Sequence, residues 1–258
     1  MHERMKVTLL GTGTSQGVPV IACDCQVCRS IDPKDKRLRS SVMIELGNQI
    51  LVIDTGPDFR QQMLRQGVER VDAILFTHHH KDHVAGMDDV RAFNYRWNKD
   101  MQIYCSNVTA SALRNEFPYV FSSDNYPGTP QVELNIIENK DFNINNINII
   151  PIEAKHYMMP VFGFRIRDFV YLTDVSAISD VEKEKMKGAD LIILDALRKK
   201  EHISHLNLDQ AVALLEELKP KRALLTHISH YMGLNNVVNK ELPSYIQLAY
   251  DGQELILN

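Results

Sequence analysis

Thr77-His78-His79-His80-Lys81-Asp82-His83-Val84-Ala85-Gly86 is the stretch on which the reading of this chain turns. It follows Val71-Asp72-Ala73-Ile74-Leu75-Phe76, a short apolar run that reads as a buried strand. Groups set just past a strand end stand on a rigid support and face open space. The spacing His78-x-His80-x-Asp82-His83 gathers imidazoles and a carboxylate, the donors that zinc, manganese and iron take. A regular strand or helix cannot aim all four at one ion. A tight turn is therefore expected to give His78 and His80 to one metal, and Asp82 and His83 to a second. The plain alternative is a solvated polar loop. A tag remnant would sit at a terminus and lack the aspartate.

Outward from that stretch, the chain has 258 residues, enough for one large domain or two small ones. It reads as a single domain over 1–258. Hydrophobic residues at 44% and charged residues at 24% are ordinary for a soluble globular protein. A net charge of -4 speaks against an extended nucleic-acid surface, though a local basic patch stays open. No apolar run is long enough to span a bilayer. The charged opening Met1-His2-Glu3-Arg4-Met5-Lys6 leads straight into a strand with no visible signal peptide, so a cytoplasmic location is expected. The four cysteines then read as thiols or metal ligands rather than disulfides.

Lys6–Leu10 reads as the first strand and runs into the glycine-rich turn Gly11-Thr12-Gly13-Thr14-Ser15-Gln16-Gly17. No Gly-Lys-Ser/Thr and no helix pattern follow, so a loop whose glycines allow close backbone approach fits better than a phosphate cradle. Cys23-Asp24-Cys25-Gln26-Val27-Cys28 places three thiols within reach of one ion, and structural zinc wants a fourth ligand. Cys105 ends an apolar run and equally suits a buried small hydrophobe. The charged segment 31–39 carries Pro33 and reads as an exposed loop. Hairpins are expected around Gly47-Asn48 and Arg167-Asp168, and a closing hairpin from 246–250 to 254–257. Helices are expected over Phe59–Gln66 with Gly67 as the stop, over 88–97 and 109–117, and from His202 through Leu218. Residues 118–130, with Tyr119, Phe121 and Tyr126, read as a rim over a cleft or a plain surface loop.

The His-x-His-x-Asp-His pattern after a strand resembles the signature of the metallo-β-lactamase superfamily. That resemblance implies an α/β (α+β) fold, the αββα four-layer sandwich, with a two-metal site along one edge. It also implies that Asp54, at the end of a strand, supports the His-rich loop, that His156 lies in a further metal-binding loop, and that Asp174 bridges both metals. Within the superfamily, the glycine-rich turn followed by Cys23, Cys25 and Cys28, together with His227-Ile228-Ser229-His230, resembles the PhnP-type phosphoribosyl cyclic phosphate phosphodiesterases. This likeness runs from Thr8 to the Asp251-Gly252 turn. It implies a structural zinc on Cys23, Cys25, Cys28 and His230. It implies one active-site ion on His78, His80 and His156, a second on Asp82, His83 and His227, and His205 as general acid. The reaction implied is hydrolysis of a small cyclic phosphodiester by a hydroxide shared between two manganese or zinc ions. A homodimer is implied by the family alone.

Two rivals stand beside this reading. A tRNA 3′-processing nuclease shares the metal motifs, but the chain has no long basic insertion and its charge is acidic. A non-catalytic metal-binding module is the other, and loss of catalysis would usually show as missing ligands.

Overall fold

The computed structural model describes residues 3–122 and 127–257. Met1, His2, Asn258 and residues 123–126, including the Tyr126 of the expected rim, lie outside the described residues. The chain is mixed α/β and divides into two compact units, one of Met1–Leu10, Ser41–Glu138 and Glu254–Asn258, the other of Gly11–Ser40 and Asn139–Gln253. Each unit is a sheet with its helices, the ingredients of the expected αββα plan.

The first unit carries a seven-stranded sheet in the order Glu254–Leu257, Met5–Gly11, Ser41–Leu46, Gln49–Ile53, Ala73–Leu75, Met101–Cys105 and Val132–Ile136. The pairs from Gln49–Ile53 onward are parallel, with helical connections between them. The Gly47-Asn48 hairpin forms as expected, with Leu46 opposite Gln49. The helix Phe59–Gln66 ends at Gly67, whose φ of 61° only glycine adopts freely. Its Phe59 and Met63 pack with Phe93, Ala110 and Leu113 of the neighbouring helices onto Val52, Ile74 and Ile103 of the sheet. Each such large side chain contributes about 1.5–3 kcal/mol on leaving water.

The second unit has an eight-stranded sheet. Its continuous order is Ala177–Ile178, Ile147–His156, Met159–Ile166, Phe169–Leu172, Leu191–Asp195, Arg222–Thr226 and Ile246–Leu248, and Phe142–Ile144 pairs with Ile147–His156. Leu191–Asp195 lies parallel to both of its neighbours and is wholly buried, which is why it reads as an unbroken apolar run. The helix Leu208–Leu218 lays Ala211, Leu214, Leu215 and Leu218 against Val170, Ile192, Leu194 and Leu225.

Several expectations need correction. The chain end is not a hairpin: Ile246–Leu248 pairs parallel with Ala223–Leu225, whereas Glu254–Leu257 pairs antiparallel with Met5–Thr8 in the other sheet. The turn between them is committed elsewhere, because the Asp251 carboxylate accepts from the Thr12 hydroxyl and the Leu38 backbone N–H. The 31–39 segment is only partly exposed. Ile31 is 98% exposed, but Asp35 and Arg37 are buried. Arg37 donates to Thr12 Oγ1 at 2.8 Å and to the Ala249 carbonyl, which is how a charged loop becomes an internal brace. The last long helix starts at Leu208, not His202. Asn207 caps it through Gln210 N–H, and Gln210 returns a bond to the Asn207 backbone. Residues 202–206 are therefore loop, and Leu206 N–H donates to Asp195 Oδ2.

Candidate metal centres

The His-rich stretch folds as the turn its spacing requires. The strand stops at Leu75, Thr77 to His80 form an irregular connection that ends with His80 extended, and Lys81–Val84 makes a single helical turn. The turn brings the His78 and His80 rings to 4.7 Å and the His78 and His83 rings to 4.2 Å, centroid to centroid. His83 Nε2 lies 3.1 Å from Asp82 Oδ2. Asp54, fully buried, holds this loop from below. It accepts from Thr77 N–H at 2.9 Å and from the Thr77 hydroxyl at 2.8 Å, and its Oδ2 is 2.7 Å from His83 Nδ1. That contact fixes Nδ1 as the protonated nitrogen and turns Nε2 toward Asp82. Burial raises the Asp54 carboxyl, against the opposing pull of His83 and Thr77. Gly86 packs its backbone onto the same loop, its N–H bonded to the Thr55 carbonyl at 2.8 Å.

In the second unit His156, Asp174, His205 and His227 gather at the ends of four chain segments. One donor atom each from His156, Asp174 and His205 lies within 4.8 Å of the others. His227 Nδ1 is 3.1 Å from Asp174 Oδ2. The partners of the other ring nitrogens are protein oxygens. His156 Nδ1 meets the Ser204 carbonyl at 2.8 Å, and His227 Nε2 meets the Thr14 hydroxyl at 3.2 Å. His205 Nδ1 is 3.4 Å from Asp195 Oδ2, which also accepts from Val175 N–H. Metal-ligating imidazoles are oriented in this way, by protein oxygens that fix the ring. Asp54, Asp174 and His227 take φ of 65°, 55° and 57°, each just past a strand. A non-glycine residue there is strained by roughly 1–2 kcal/mol, a cost that clusters at functional sites.

A third group lies wholly in the second unit. His230 Nδ1 is 3.2 Å from Cys23 Sγ and 3.5 Å from both Cys25 Sγ and Cys28 Sγ. One ring nitrogen has one proton at most, so hydrogen bonding cannot account for three sulfurs around it. A tetrahedral zinc with Zn–S near 2.3 Å and Zn–N near 2.0 Å sets N···S at about 3.5 Å, which these separations match. The Cys28 backbone N–H donates to Cys25 Sγ and draws that thiol down to about 6. Burial pushes Cys28 up. Cys105, the other candidate fourth ligand, is instead buried in the core of the first unit.

The donor chemistry fits divalent metals in every group. Sequence reasoning missed the supports: Thr14, Ser40 and the Ser204 carbonyl carry no motif, and only contact with His227 or His156 reveals them. Asp195, at the end of Leu191–Asp195, is placed beside His205 only by the fold.

Residues 49–228 match the family model described as the β-lactamase superfamily domain. The chain superposes on the crystal structure of a new diphosphatase from the PhnP family with a TM-score of 0.94 and 40% identity, covering 100% of this chain and 98% of that one. It is 38% identical to an octanoyltransferase of Porphyromonas gingivalis over 98% of this chain and 52% of that protein, so it spans about half the length of that curated relative. The Zn(2+)-bound PqqB of Methylobacterium extorquens shares the fold, with a TM-score of 0.80 at 17% identity over 97% of this chain and 99% of that one.

Proposed function

The chain belongs to the β-lactamase superfamily and is a metal-dependent hydrolase, and from that premise we propose that it cleaves a small phosphodiester. A cyclic phosphate fits this reading, such as a phosphoribosyl cyclic phosphate or a cyclic nucleotide. The observation that carries the reading is the oriented imidazoles: the Asp54 carboxylate holds His83, the Ser204 carbonyl holds His156, and the Thr14 and Ser40 hydroxyls hold His227.

By the family resemblance, His78, His80 and His156 would hold one divalent ion, Asp82, His83 and His227 a second, with Asp174 shared. Cys23, Cys25, Cys28 and His230 would hold a structural zinc. The active-site ions, manganese or zinc, would supply a nucleophile near neutral pH and neutralise phosphoryl charge. Asp54 keeps the His83 ring in one tautomer. His205, with Nδ1 toward Asp195, gives the Nε2 proton to the departing alkoxide, a role worth about 10²–10⁴ in rate. The same resemblance implies a homodimer.

A phosphoanhydride is a second reading, favoured by the 40% identical relative described as a diphosphatase. Both substrates place a phosphoryl group between two oxygen substituents. The test is elemental analysis with hydrolysis of bis-(p-nitrophenyl) phosphate by wild type and Asp82→Ala, followed by a ribose cyclic phosphate against a nucleoside diphosphate. Cleavage by wild type alone supports the reading. A metal-replete protein that cleaves neither class refutes it.

A further inference from the structure

Tyr157 and Met158 form the two-residue turn between the strands Ile147–His156 and Met159–Ile166, with His156 directly opposite Met159. Both side chains stand out of the protein, at 56% and 77% exposure. Turns of this length favour glycine and asparagine, because the first residue takes a positive φ. Two comparable turns follow that rule with Gly47 at 60° and Asn145 at 51°, whereas a third carries Arg167 at 52°. Here an aromatic residue sits at φ 55°, where a bulky side chain is a true outlier. Among the described residues Tyr157 belongs to no hydrophobic core cluster. What sets Tyr157 apart from Arg167 is its place, an exposed aromatic one residue from His156.

A second exposed apolar side chain stands next in sequence to a residue that holds His156. Ile203 is 70% exposed in the 202–206 loop. Its neighbour Ser204 supplies the carbonyl that holds His156 Nδ1 at 2.8 Å, and its other neighbour His202 has its ring 5.2 Å from that of His205. The Tyr157 backbone N–H is tied to Ser176 Oγ at 2.9 Å, two residues past Asp174. So the turn and the loop are both pinned to the segments that carry His156, Asp174 and His205, and both present large apolar groups outward.

We propose that Tyr157, Met158 and Ile203 form an apolar rim beside His156 and His205 that takes a planar ring of the substrate, making the protein a hydrolase of nucleoside phosphoesters. The inference rests on the phosphodiesterase reading for its reaction, but not for its binding. An exposed tyrosine offers a flat face to a base, and a methionine sulfur packs favourably on ring edges. One base stacked on an aromatic side chain gains about fivefold to a hundredfold in affinity.

The test is calorimetric binding of AMP and of ribose 5-phosphate to the metal-loaded full chain, for wild type and for the triple variant Tyr157→Gly, Met158→Ser, Ile203→Ser. The two ligands share the sugar phosphate and differ by the base. Wild type is expected to prefer AMP at least about fivefold, and the triple variant to lose that preference. Its melting temperature should not fall, because glycine relieves the φ at 157. Equal affinities in wild type, or a preference that survives in the folded variant, overturn the proposal, and so does octyl phosphate binding as tightly as AMP. If AMP is preferred but bis-(p-nitrophenyl) phosphate is not cut, the rim stands and the phosphodiesterase reading falls.

Discussion

Gly86→Ala is the most exacting test of how the metal loop is held. The glycine lies outside the left-handed region, so the effect is purely steric. A Cβ at this position would stand 2.2 Å from the Gly56 carbonyl oxygen, 2.7 Å from Phe59 Cβ and 3.1 Å from the Thr55 carbonyl oxygen. Ordinary contact begins at 3.4 Å. The backbone must therefore open by ~1.2 Å, and two of the three obstacles are main-chain atoms that cannot rotate away. Overpacking of this kind costs about 1–3 kcal/mol, and we expect the upper end. Melting should fall by about 6–12 °C for a chain of this size. The second effect is larger. The opening pulls apart the bonds Gly86 N–H to Thr55 O and Thr55 N–H to His83 O, and so displaces His83 and Asp82 from Asp54. A misplacement near 1 Å costs on the order of 10²-fold in activity. The assay is differential scanning calorimetry beside elemental analysis and hydrolysis of bis-(p-nitrophenyl) phosphate. Gly67→Ala is the control: its added Cβ meets nothing within 4 Å, but its φ is +61°. It should lose about 1 kcal/mol and no cleft metal. A Gly86→Ala protein with wild-type melting, metal and turnover would refute this account of the loop.

Asp54→Asn keeps the side chain's shape but presents an amide to His83 Nδ1. Cleft-metal affinity, read by chelator competition, should drop about 10–100-fold while zinc on the cysteines is retained. Cys25→Ser or His230→Ala should release one tightly held zinc per chain and lower the melting temperature, while thiol titration of native wild type finds Cys23, Cys25 and Cys28 protected until chelator is added. Cys105 is pushed up to about 12 by burial, so it should resist iodoacetamide in the native state. Between the ordinary thiol value of 9.0 and about 12 the unfolded chain gives up this proton first. Stability should therefore fall as pH rises through that window, and less steeply in Cys105→Ala, measured by urea unfolding at each pH.

Much of this protein was written in local pattern. Gly67 marked a helix end because a C-terminal glycine accepts the left-handed turn at no cost. Gly47-Asn48 marked a hairpin for the same reason. His78, His80, Asp82 and His83 were legible because their donors come from one short turn, where spacing alone limits geometry. The 202–206 loop was not legible as loop, since its apolar residues continue the helical period and only the Asn207–Gln210 cap shows where the helix begins. The closing strands misled for a similar reason. Two apolar runs around Asp-Gly look like a hairpin until Asp251 is found bonded to Thr12 and Leu38.

What the sequence determined by itself was therefore whatever depends on neighbours within a few residues: the metal turn, the thiol cluster, the helix stops and most of the strands. What only the tertiary structure decided was pairing across long separations. Cys23 and His230 are 207 residues apart, Thr14 and His227 213, yet each pair is in contact at 3.2 Å. No periodicity encodes such contacts, because they follow from which strands share a sheet, and that is settled by burial of the whole core at once.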